Sequence, residues 1–142
     1  MKKIFITALL IALLLGTMAF LKSHRTSPYP QHAVENMLRT TSLPAGWSLS
    51  EMRSIPSEIR AAQLGPFGDW MEKVTGKPPY NDLIVLDFVD GSDNLEVSIY
   101  SSPTSSMASS VTINPSPAAS PEAETLKQAV KVAFPDLDCS IR

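Results

Sequence analysis

The chain is 142 residues long, a size that points to one modest domain, with 12 basic and 14 acidic residues and a net charge of −2. The charge is unevenly spread: the first 25 residues hold Lys2, Lys3, Lys22 and Arg25 and no acid, leaving eight basic against 14 acidic residues downstream, a net of −6. Such a body repels phosphate backbones, which argues against nucleic-acid binding, and it has no charge affinity for anionic lipid outside its N-terminus.

From the N-terminus, two lysines precede Ile4 to Leu21, 18 residues without a charge. A helix of that length spans ~27 Å, close to the ~30 Å hydrocarbon core of a bilayer. Residues 1–21 therefore read as a targeting segment that meets the membrane through residues 4–21. One form is a single-pass N-terminal anchor in a bacterial-type inner membrane, with the body outside the cytoplasm. The other is a signal peptide in which Gly16 breaks the helix and Thr17-Met18-Ala19 offers small residues for cleavage after Ala19, freeing the body to the periplasm or beyond. Phe20 and Leu21 prolong the apolar run past that site and Lys22 and Arg25 follow, so the anchor is preferred; the same charges leave a reversed, cytosolic body as a lesser alternative. No cysteine near residue 20 supports a lipid anchor.

Residues 22–31, polar with two prolines, read as a linker, and 32–142 as a single α+β extracytoplasmic domain. Val34, Met37, Leu38 and Thr41 recur at helical spacing, predicting an amphipathic helix over His32–Thr41 that ends at Leu43-Pro44-Ala45-Gly46. Trp47 to Ile55 resembles a short strand, although Glu51 and Arg53 then sit on its apolar face. Ser57–Leu64 and Asp69–Thr75 read as short helices, the second capped by Asp69 and stopped by Gly76.

The clearest feature is a hairpin: Leu83–Val89 is β-branched and aromatic, residues 90–94 are turn chemistry, and Leu95, Val97 and Ile99 alternate with polar neighbours. A Ser/Pro-rich connection follows at 101–121, with Val111-Thr112-Ile113 as a candidate third strand. Ser120, Pro121 and Glu122 then open a helix with Leu126, Ala129, Val130, Ala133 and Phe134 on one face, and Leu137–Ile141 can return as a last strand. The expected fold is α+β: a small antiparallel sheet of three or four strands, with hairpin 83–100 central and covered by helices, preceded by the apolar N-terminal targeting or anchor helix.

The chemistry is sparse. His24 and His32 lie in or beside the linker, away from any core, and none of G-x-S-x-G, H-E-x-x-H, C-x-x-C or G-x-G-x-x-G occurs. Asp87, Asp90, Asp93 and Glu96 surround the hairpin turn, but aligning Gly91 with the glycine of a calcium loop puts Leu86 and Phe88 at ligand positions, so no metal and no cofactor is expected. Trp47, Phe67 and Trp70, the latter two beside glycines, are candidate ligand- or partner-binding rings; the plainer reading makes them core plugs. Cys139 cannot form a disulfide within the monomer and reads as a small buried hydrophobe, or in an oxidising envelope as half of an intermolecular disulfide.

These observations lead to the expectation of an exported or membrane-anchored envelope protein whose body is a non-catalytic binding or interaction module, with another envelope protein as partner. Two alternatives stand beside it: a secreted hydrolase using paired carboxylates, and a structural or assembly component of an envelope complex.

Overall fold

A computed structural model describes residues 2–23, 27–56, 59, 62–76, 82–101 and 105–142, with side chains in the first helix described for residues 6–17. That helix, α1 (Lys2–Ser23), is followed by α2 (Gln31–Thr40), β1 (Ser48–Ile55), α3 (Pro66–Thr75), β2 (Leu83–Asp90), β3 (Asp93–Ser101), β4 (Ala108–Ser116), α4 (Pro121–Ala133) and β5 (Asp138–Ile141). Half of the helix expected over Ser57–Leu64 lies outside the described residues; of the rest, Ile59 and Ala62 are helical and residues 63–64 form a turn.

The fold is α+β, with one sheet in the order β1-β2-β3-β4-β5. The sheet has five strands, not three or four, and it is mixed: β1 to β4 run antiparallel and β5 pairs parallel with β4. Two facts of the chain account for the correction. Helix α4 supplies the crossover that a parallel neighbour requires, returning the chain beside β4 with Ser110 opposite Asp138. At the other edge, β1 is a full strand, because a bulge between Leu49 and Glu51 resolves its mixed pattern. Leu49 and Met52 lie opposite Phe88 and Leu86, while Glu51 and Arg53 lie opposite Asp87 and Val85 on the other face.

The hairpin forms as the turn chemistry predicts. Asp90 pairs with Asp93, leaving Gly91-Ser92 as a two-residue loop in which Gly91 has φ +61° and no other residue needs a positive φ, the type II′ pattern. Strand β4 extends well beyond Val111–Ile113, through Pro115 opposite Leu95. Pro115 lies past the end of β5, where β4 has a neighbour on one side only, a setting that tolerates a missing N–H.

One sheet face carries the core. Leu86, Phe88, Leu95, Val97, Ile99, Val111 and Ile113 are buried there beneath Val34 and Leu38 of α2 and Ala123, Leu126 and Val130 of α4. The Ser120 hydroxyl accepts from the Ala123 N–H at 3.3 Å, capping α4 with Pro121 at its first position. Helix α3 begins earlier than its acidic residues suggest, at Pro66, with Gly65 (φ +57°) as the cap residue and Asp69 in the first turn; Gly76 (φ +68°) ends it. Proline at the first position of a helix forfeits nothing, because that N–H has no intrahelical partner.

Residues 27–30, which the composition assigns to a linker, are fastened to the body. Ser27 donates from its N–H (3.1 Å) and its hydroxyl (2.6 Å) to the Ala108 carbonyl, and the Ala108 N–H donates to Tyr29 O at 2.8 Å. Tyr29 also packs its ring on Phe134, with centroids 4.8 Å apart. Among the described residues, the chain is fastened to the body from Ser27 onward.

Helix α1 is of a different kind. Every described side chain on it, from Ile6 to Thr17, is exposed, and the Thr17 hydroxyl bonds back to the carbonyls of Leu13 and Leu14 at 2.9 Å each. Among the described residues no helix is long and apolar enough to cross a membrane, the described side chains of α1 ending at residue 17.

The burial pattern sets a direct expectation. Leu126→Ala removes a side chain with no exposed surface and is expected to cost about 2–5 kcal/mol in urea unfolding, whereas exposed Val132→Ala on the same helix stays within about 0.5 kcal/mol.

Candidate functional site

Three places in the body hold enough chemistry to weigh. The first is a pocket of about 210 Å³ lined by Trp47, Asp93, Ser116, Pro117, Ala119, Ser120, Pro121 and Glu122. It forms where β1 begins, β3 begins, β4 ends and the capped start of α4 meets them. Trp47 is half-buried, its ring packed against the core cluster. Gly46 just before it has φ +106°, and a Cβ there would come within 2.9 Å of both Asp90 carboxylate oxygens, so only glycine lets the chain pass and set Trp47 in place. Glu122 accepts from the Ser120 hydroxyl at 3.0 Å, while Asp93 is exposed at the hairpin turn. The pocket is small beside ordinary ligand sites of ~300–1,000 Å³, and half of its lining residues are polar.

The second place is α3. Phe67 and Trp70 stack with ring centroids 6.0 Å apart, and together with Val74 they are 56%, 58% and 65% exposed. Their spacing of three and four residues puts them on one stripe, with Gly68 buried and Met71 half-buried beside it and exposed Asp69, Glu72 and Lys73 on the remaining face. The two rings beside glycines are therefore brought together, and they are surface groups. Trp47 is not part of this pair. What the sequence could not reveal is Val74 as the third member, since its membership depends on the helix showing this stripe to solvent.

The third place is the sheet face away from the core helices. Glu51, Asp87, Glu96 and Asn114 lie directly opposite one another across four strands. Like charges so placed repel, and Arg53 offsets this: its Nη2 donates to Asp87 Oδ2 at 2.8 Å and Glu96 Oε2 at 3.4 Å, and its Nε lies 3.8 Å from Glu51. Asn114 Nδ2 donates to the other Glu96 oxygen at 3.4 Å. The hydrogen bond and then the charge of Asp87 raise the Arg53 pKa above its ordinary value. Asp87 and Glu96 thus share the Arg53 guanidinium, and the row ties four strands together.

Cys139 faces the core from β5 and is buried; burial pushes its thiol up to about 11. Among the described residues no group of three or more His, Cys, Asp or Glu is disposed to hold a metal ion. Of the acids around the hairpin turn, Asp87 and Glu96 face each other and share Arg53, while Asp90 and Asp93 pair across the turn itself. No protein-family model, no characterised protein and no solved structure matches this chain.

Two measurements follow from this geometry. Arg53→Met leaves the acidic row without its cation and is expected to lower the Tm, with a deficit that narrows as salt is raised and screens the carboxylates. Cys139, protonated at neutral pH, is expected to react slowly with thiol reagents at pH 8 in the native protein and quickly in denaturant, with the native rate climbing as pH approaches 11. The same raised pKa makes the thiol a destabilising group in alkali: the unfolded chain releases this proton at lower pH, so stability declines as pH rises from about 9 toward 11.

Proposed function

We propose that this chain is an exported or membrane-anchored envelope protein whose body is a non-catalytic binding or assembly module. The observation that carries the reading is α1: from Ile6 to Leu15 it is uncharged, with Thr7 its single polar residue, and it is exposed all along, next to a body that closes its own core with α2 and α4. A helix with no polar stripe finds its match in hydrocarbon or in an export pathway. The Thr17 hydroxyl, bonded to its own helix, adds no unsatisfied group to that match. Ile4 to Leu21 is the segment proposed to meet the membrane, as an anchor or as a signal cleaved after Ala19. The exposed Phe67, Trp70 and Val74 stripe supports a docking role for the body over a catalytic one.

One observation favours a second reading, a secreted hydrolase using paired carboxylates: Asp93 and Glu122 line the same pocket as Trp47. In that case Asp93→Asn and Glu122→Gln each lower a hydrolytic rate by about 10²–10⁴, whereas a binding module loses no turnover because it has none.

The deciding measurement is intact mass and N-terminal sequence of the protein from separated membrane, soluble extracytoplasmic and cytosolic fractions. An uncleaved chain in the membrane establishes the anchor, and a soluble extracytoplasmic chain beginning at Phe20 establishes a secreted domain. Recovery of the whole chain in the cytosol overturns the proposal.

A further inference from the structure

We infer that α3 is an interfacial helix, lying among the lipid headgroups of the bilayer that α1 enters, with Phe67, Trp70 and Val74 directed into the lipid; this rests on the anchored form of the proposed function. The first support is where α3 hangs. Ile55, the last residue of β1, pairs with Leu83, the first of β2, so the chain from 56 to 82 leaves and rejoins the sheet at one end. That end also holds the tether. Leu83 pairs with Tyr100, Ser101 pairs with Ala108, and Ala108 binds Ser27 and Tyr29. The Gln31 side-chain amide donates to Ile99 O at 2.8 Å and to Asp82 O at 3.4 Å, so the start of the body touches the close of the α3 excursion.

The second support is reach. Helix α1 ends at Ser23 and the body is fastened from Ser27, four residue steps that extend at most ~14 Å. A helix with its side chains is ~10 Å across, so the tethered end of the sheet cannot stand more than about one helix diameter clear of the anchor's end. An excursion leaving from that end is held next to the headgroup layer.

The third support is chemistry. Aromatic rings concentrate at membrane–water interfaces, where an apolar body and a wet surrounding are both satisfied. The stripe is narrow, with about 100 Å² exposed by each half-exposed ring, far below the ~800 Å² per partner of a stable protein interface. For a helix already tethered to the membrane a small apolar patch suffices, because the tether supplies the effective concentration. The charges on α3, Asp69 and Glu72 against Lys73, give it no preference for anionic lipid, so zwitterionic lipid is the matching surface.

The test uses the full chain with Trp47→Phe, which leaves Trp70 as its one tryptophan, reconstituted in phosphatidylcholine vesicles. Flotation with the vesicles is read first, then Trp70 emission with acyl chains brominated close to the glycerol. The expected result is co-flotation, emission reduced roughly twofold by the brominated lipid and partial shielding from aqueous acrylamide; Phe67→Ser with Val74→Ser weakens the lipid quenching without disturbing flotation. Co-flotation with Trp70 open to acrylamide and untouched by brominated lipid overturns the inference while leaving the anchor standing. Co-flotation with Trp70 shielded from both quenchers also overturns it, in favour of contact between copies. A chain that does not float removes the anchored reading, and this inference with it.

Discussion

The body depends on one row of cross-strand contacts. Leu86 lies opposite Val97, which lies opposite Ile113, and beside this row Phe88–Leu95 and Ile99–Val111 complete an apolar field across three strands. All of these side chains are buried beneath α2 and α4. Because the side-chain period of a strand is two, a slip of one residue would send this field to the opposite face and bring Asp87, Glu96 and Asn114 under the helices. The register is thus fixed by the cost of burying charge as much as by the gain of burying Leu and Ile. The type II′ turn at Gly91-Ser92 sets the same register from the hairpin's end.

With that register in place the second face follows. Its acidic row is a consequence of the core pairing, and Arg53 is the residue that makes the row tolerable. Arg53 can take this part only because of the bulge in β1, which turns Glu51 and Arg53 away from Leu49 and Met52. Edge strand, bulge and cation are therefore a single solution to a problem set by β2 and β3.

The parts of the fold that were legible in the sequence are those specified locally. Hairpin 83–100 has alternation and a glycine turn, α2 has its apolar spacing, and α4 has Ser120, Pro121 and a regular apolar face; each appears at its expected place. The parts that were not legible depend on distant partners. A bulge leaves no local pattern, so β1 looked conflicted. Pro115 reads as a strand breaker unless it is known that β5 stops short of it. One serine and two prolines among residues 27–30 suggest slack chain, yet Ser27 and Tyr29 find hydrogen-bond partners on Ala108, which is remote in sequence. The candidate sites divide the same way. Phe67 and Trp70 are neighbours on one helix turn and their pairing is visible from spacing, whereas the meeting of Trp47 with Asp93 and Glu122 is assembled by three separate elements.

The fastening of Ser27 to Ala108 gives the sheet a polarity. Strand β3 runs nine residues from Asp93 to Ser101, ~30 Å of extended chain. Ser101 stands at the fastened end, and Asp93 lines the Trp47 pocket at the other. Were α1 to enter a bilayer, the sheet would serve as a mast: its foot at the lipid, its pocket held aloft where soluble molecules pass, beyond the reach of headgroups and of the anchor's own charges.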